Sequence, residues 1–446
     1  MPFKRVERLP QGRRRRSGCI KARVLDKLLC MWKIQHASHT MDSSALAQAH
    51  DHLQRLLAEK RSGFFDLELL KQGHLEAEKL ALQMRKDFDT YCVLGIGGSS
   101  LGAQAVIEAL APQELEDKKV IFFDNVDAKS FFRKIHALKN VSRTLWVLVS
   151  KSGGTVETLA QADFLEQFLW EKHQIHLHQK SVVVTEFKNS PLRDWAQKHK
   201  VAQLEVPMSV GGRFSVLTPV GTFLFHLLGL NVANMLKGAD LALQQKDQLA
   251  TTISQFASSL SRGETTTYFL SYCDDLKFWG QWLQQLWAES LGKKVTRDLS
   301  PAPAMSVPYA CRGATDQHSV LQQISEGTQQ KMVCFLRVKE SESFGPMLKE
   351  QVLLLKEDQL QGKNLGQLLS AEASAIQQAL NEAGVATLTL QTEKLDEESL
   401  GYLLMTFQLT VATLGLMNNI DPFDQPGVER GKVLTRLILS NSLKFS

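Results

Sequence analysis

The side chain most able to do chemistry is Glu289, in the run FWGQWLQQLWAESLGK. At ~100° per residue a helix over this run lines up Phe278, Trp282 and Leu286, and Glu289 falls in that apolar stripe with Gln285 one turn before it. A carboxylate set among tryptophans must be paired, protonated or used, because burying it alone is costly. Such surroundings suit a general base, and the structural alternative is an ion pair with Lys293 at i+4. Gly211-Gly212-Arg213 supplies a guanidinium where glycines let a ligand approach the backbone, fit for a phosphate or a developing oxyanion; read alone, it is also an ordinary turn with a surface arginine. Ser150-Lys151-Ser152-Gly153-Gly154-Thr155 offers hydroxyls and free N–H groups before a helix, which suits a phosphate dianion or, more simply, a helix cap. It lacks Walker A spacing. His318, after Thr315-Asp316-Gln317, sits at what reads as a helix start, where the ring is kept neutral and able to shuttle protons. His173, His176 and His178 invite a metal reading, but no acidic ligand matches their spacing, and a solvated loop is favoured.

These residues need a scaffold, and the stretch YCVLGIGGSSLGAQAV at 91–106 announces it: an apolar strand, then glycines and serines, then a helix. Gly95, Gly97 and Gly98 clear the backbone for a ligand and Ser99 and Ser100 add hydroxyl donors, which reads as an anion or sugar cradle. Ser100 replaces the third glycine of a dinucleotide fingerprint, so a dehydrogenase with Asp124 as ribose ligand is the weaker reading. Strand and helix patterns alternate from Tyr91 to Thr185 and again from Thr267 to Leu390. The fold class is therefore α/β, with doubly wound parallel sheets. Residues 43–90 read as outer helices. The expected divisions are a basic extension over 1–42, a first unit over 43–235, a second over 236–420 and a helical C-terminal segment over 421–446.

Composition excludes several classes. Residues 1–30 carry ten Lys or Arg against Glu7 and Asp26, a local +8 that leaves the rest of a +5 chain at −3. The body is therefore no nucleic-acid binder. The basic tail reads as a transit peptide, a nucleic-acid arm or, in preference, sequence upstream of a start at Met31 or Met41. Six scattered cysteines suit a reducing cytoplasm. The apolar stretch Leu403–Met417, interrupted by threonines and a glutamine, is expected to be a core helix and not a membrane span.

Taken in order, VLGIGGSSLG, LVSKSGGTVET, VGGRFSVLTPVG, WLQQLWAESLGK, DQHSVLQQ and FDQPGVERGK resemble the motifs of glucose-6-phosphate isomerases over about residues 50–440, in the compact bacterial form. The resemblance implies two sugar-isomerase (SIS) domains, a cytoplasmic homodimer, and aldose–ketose interconversion of glucose 6-phosphate and fructose 6-phosphate in glycolysis and gluconeogenesis, without metal or cofactor. It further implies that Ser150, Lys151, Ser152 and Thr155 hold the phosphate, with Gln285 and Gln425 beside it, and that Gly98 and Ser99 contact the sugar. Glu289 matches the base between C2 and C1, and Arg213 the residue facing the enediol oxygens. His318, from the neighbouring subunit, and Lys432 match the ring-opening pair. Met208, Gly154 and Arg430 depart from the usual pattern. A non-catalytic SIS-type sugar-phosphate binder is the alternative, but it would not require Glu289, His318 and Lys432 together.

Overall fold

The computed structural model describes residues 32–39, 42–110, 118–349 and 360–440. Its strands are β1 (Lys33–Ala37), β2 (Thr90–Leu94), β3 (Lys119–Phe123), β4 (Thr144–Val149), β5 (Ser181–Thr185), β6 (Ala202–Glu205), β7 (Thr266–Tyr272), β8 (Val307–Arg312), β9 (Lys331–Val338) and β10 (Ala386–Thr392). They form two sheets. The first runs β3-β2-β4-β5-β6 and is wholly parallel. The second runs β1-β10-β9-β7-β8, parallel except for β1 at its edge. β4 and β5 are buried at every position, which is why residues 145–149 and 182–184 run apolar without alternation: helices cover both faces. The doubly wound α/β architecture expected from the alternation is the one present.

One apolar core joins the sheets. Val93, Val147 and Val184 of the first share it with Phe269, Cys334 and Leu388 of the second, and with the helix Glu397–Met417. That 21-residue helix is long and apolar enough to cross a bilayer by length and composition, yet 94% of its 18-residue apolar window is buried within the protein. Four cysteines, 92, 273, 311 and 334, are free and buried, and burial pushes each thiol up, Cys273 to about 11 and Cys311 to about 12.

The expected basic extension over 1–42 needs correcting in its last part. Residues 33–37 pair antiparallel with β10, and Trp32 is buried with its carbonyl bound by Gln248. Ser38 closes the edge by exchanging hydrogen bonds with Thr387. The second unit thus draws a strand from the N-terminal region. Residues 1–31 lie outside the described residues.

Near 236–250, where the division between units was expected, the helices Val232–Gln244 and Lys246–Ser261 follow one another with only Gln245 between them.

Candidate active site

In the first sheet the strand order turns at the neighbouring strands β2 and β4, with β3 on one side and β5 on the other. This is the switch point where open α/β sheets bind ligands, beyond the carboxyl ends of the strands. The loop after β2 holds Gly97, Gly98 and Ser99; the loop after β4 holds Ser150 to Thr155. Gly98 is required by contact: a Cβ there would lie 2.4 Å from the carbonyl carbon of Gly212. The glycine loop is thereby pressed onto the Gly211-Gly212-Arg213 turn.

The Ser150 loop is not a simple helix cap. Thr155 stands at the N-cap of the helix Val156–His173, but its side chain makes no capping bond; its Oγ1 pairs with Ser150 Oγ at 2.8 Å. The first N–H groups of an 18-residue helix are left without a side-chain cap, beside two hydroxyls. Ser152 Oγ accepts from the Gly154 N–H at 3.3 Å. Lys151 Nζ lies 3.1 Å from Glu186 and 3.4 Å from the Met208 carbonyl. A Cβ at Gly154 would meet nothing within 4 Å, so the fold does not demand glycine there.

Glu289 lies in the last turn of the helix Lys277–Leu291, whose Trp279, Trp282, Leu283, Leu286 and Trp287 are buried. It sits at the margin of that apolar face and not within it: its side chain is 33% exposed. Its carboxylate is held from two sides, by Gln285 Nε2 on Oε1 at 3.0 Å and by Arg213 Nη1 on Oε2 at 3.2 Å. Lys293, offered as its partner at i+4, instead donates to the Glu289 backbone carbonyl at 2.7 Å and pairs with the Asp424 carboxylate at 3.0 Å.

Arg213 is 3% exposed and every one of its N–H groups is engaged. Nε donates to Ser290 Oγ at 2.7 Å; Nη1 serves Glu289 and Gln425 Oε1, the latter at 2.9 Å; Nη2 reaches the carbonyls of Pro422 and Asp424. Burial pulls this guanidinium below its ordinary value, and the Glu289 carboxylate opposes that. Ser290 and the two carbonyls were not singled out from sequence; the only cue was the proximity of Ser290 to Glu289 and of Pro422 and Asp424 to the FDQPG motif.

A cleft of about 1020 Å³ opens beside Glu289, lined also by Lys293, Gln425, Gly427, Arg61 and Arg297. The Ser150 loop is reached from Glu289 on another side, through Gln285 and the glycine loop: a Cβ at Gly97 would lie 2.9 Å from Gln285 Nε2, and one at Gly95 3.1 Å from the Val149 carbonyl. Gln425, expected beside the phosphate, bonds to Arg213 in the Glu289 cluster.

Two expected residues stand apart. His318 ends the 3-10 turn Thr315–His318 and is exposed. Lys432, on the exposed helix Glu429–Leu439, pairs with Glu429 at 2.7 Å. Among the described residues, neither bonds to the Glu289 cluster. Of the three histidines considered for a metal, His176 and His178 stack on each other, with His176 also holding Glu166 at 2.7 Å and lying against Trp170, while His173 lies against Phe168. Among the described residues, no group of three or more His, Cys, Asp or Glu is arranged to hold a metal ion.

The sequence profile of the phosphoglucose isomerase family matches residues 78–445. A "probable glucose-6-phosphate isomerase" of Haloarcula marismortui is 33% identical over 400 residues, 88% of each chain. A glucose-6-phosphate isomerase of Carboxydothermus hydrogenoformans is 31% identical over 393 residues, 84% of each. The crystal structure of a hypothetical protein from Thermus thermophilus superposes with a TM-score of 0.78 at 29% identity, covering 89% of this chain and 97% of that one.

Proposed function

The chain belongs to the phosphoglucose isomerase family and interconverts glucose 6-phosphate with fructose 6-phosphate; we propose that Glu289 carries the proton between C2 and C1 of the open-chain sugar. The observation that supports this assignment is the suspension of its carboxylate between Gln285 and Arg213 at the mouth of a cleft. A base must be oriented and reachable, and this one is both. The phosphate sits in the Ser150–Thr155 loop, with Lys151 supplying charge, while Gly98 and Ser99 line the sugar between the two ends. Binding the dianion at a distance holds the reacting carbons in place.

The full occupancy of Arg213 gives the step its timing. While Glu289 is ionised it engages one Nη1 hydrogen. When Glu289 takes the C2 proton it loses its charge, and its hold on that hydrogen weakens as negative charge gathers on the sugar oxygens. The freed donor then turns to the enediolate. Returning the proton to C1 yields the ketose and restores the Glu289–Arg213 pair.

Ring opening precedes this and falls to His318 and Lys432, with His318 supplied by the second subunit of a homodimer. That assignment rests on the family motifs DQHSVLQQ and FDQPGVERGK. The reaction belongs to glycolysis and, in reverse, gluconeogenesis, in the cytoplasm. A coupled assay for fructose 6-phosphate formation from glucose 6-phosphate, run with no added metal or nucleotide, tests the reading. Phosphate-competitive binding of the sugar without turnover would favour a sugar-phosphate binder instead.

A further inference from the structure

Behind the Ser150 loop lies a buried carboxylate that the reaction above does not use. Glu186 follows β5 directly, and its side chain is only 4% exposed. Its segment is laced to the loop: the Glu186 N–H and Thr185 Oγ1 both donate to the Lys151 carbonyl, at 3.0 and 3.3 Å, and the Leu192 N–H donates to the Gly153 carbonyl at 3.0 Å. Gly153 turns at φ +64, where a Cβ would strike Ser190 Oγ. The carboxylate meets two ammonium groups, Lys151 on Oε1 at 3.1 Å and Lys188 on Oε2.

One cation would suffice to neutralise Glu186. With a single partner, drawing Lys151 toward an arriving phosphate would strand a buried charge, which is costly. With Lys188 in place, Lys151 can leave while Glu186 stays paired. Resting on the reading of the Ser150 loop as the phosphate site, we propose that Glu186 and Lys188 are positioning residues that hold Lys151 ready and let it transfer to the substrate phosphate. Lys188 acts through Lys151 and not by touching the sugar.

The probe is inorganic phosphate as competitive inhibitor, with KM for fructose 6-phosphate alongside. Lys188→Met should raise both constants about five- to tenfold and leave kcat within about twofold, since Lys151 is then tied to its only counter-ion. Adding Glu186→Gln to Lys188→Met should relieve the defect, because the tie is gone. In a Lys151→Met background, Lys188→Met should have no further effect. If the two lysine effects multiply, Lys188 acts as an independent charge and the proposal fails. It fails equally if Lys188→Met leaves phosphate binding unchanged while Lys151→Met weakens it. If Ser150→Ala with Thr155→Ala, and Lys151→Met, all leave phosphate inhibition intact, the phosphate-site reading itself falls. Thermal melts of each variant separate these outcomes from misfolding.

Discussion

At the scale of single residues, the site depends on how two charges are shared. The sequence showed that Glu289 must be paired, protonated or used, and the ion pair it offered as the alternative was with Lys293, four residues on; the carboxylate's ion-pair partner is Arg213, 76 residues away in sequence. Helical spacing cannot reveal a contact made by chain return, whereas the need to compensate a carboxylate near an apolar face could be read directly. Glu289→Gln keeps the side-chain shape and its acceptor toward Arg213 but removes the proton-accepting charge. Turnover, and exchange of the C2 proton with solvent, should fall by about 10²–10⁴-fold, with KM changed little. The measurement is tritium or deuterium loss from C2-labelled substrate beside steady-state kinetics. Near-normal exchange would leave Glu289 only as the counter-ion of Arg213.

At the scale of elements, the interior strands were legible and three of the four edge strands were not. β2, β4, β5, β7 and β9 are buried at nearly every position because both faces are covered, and their centres are apolar runs that the sequence pattern shows. β1, β6 and β8 were missed: KIQHA, AQLE and VPYACR mix polar residues, and β8 contains Pro308, which an edge strand tolerates. A feature between elements was also hidden. The helices Leu67–Met84 and Pro219–Leu228 meet through His74 Nδ1 and His226 Nε2 at 3.2 Å. Such a bond needs one ring to donate and the other to accept, so it is lost when both are protonated. Burial lowers both rings from the usual value, with Glu78 acting against it on each. The folded rings therefore bind protons less readily than the unfolded chain, and the unfolded chain takes up more protons below about pH 6.5. The contribution is full above that pH and is lost as pH falls toward the lowered folded values. Melting temperature should drop between pH 7.5 and pH 5.5, and replacing both histidines by Gln should shrink that drop. Equal drops in the two proteins would show that the pair carries none of the acid sensitivity.

At the scale of the whole molecule, a single chain assembles part of the proposed machinery. Glu289, Arg213, Gln285 and Gln425 are bonded together, while His318 is exposed beyond β8, the last strand of the second sheet, and Lys432 rides on an exposed helix. That helix turns Val433, Leu437 and Leu439 to solvent, the last 70% exposed, a pattern suited to a covered face. If the second subunit of a homodimer brings His318 to the first subunit's Glu289, each active site is composite and complementation follows. A Glu289→Gln chain and a His318→Ala chain would each form dimers poorly active on the cyclic sugar. A mixed dimer would contain one site with both intact groups and one site lacking both. Equal amounts, re-paired at random, make about half the dimers mixed, so about a quarter of wild-type activity should return. Co-refolding the two variants and assaying cyclic glucose 6-phosphate measures this. Activity no higher than the mean of the two parents, with mixed dimers demonstrated by differently tagged chains, would place His318 and Glu289 in one subunit's site. In that case His318 would have to reach Glu289 within its own chain, and the 3-10 turn Thr315–His318 would have to move to bring it there.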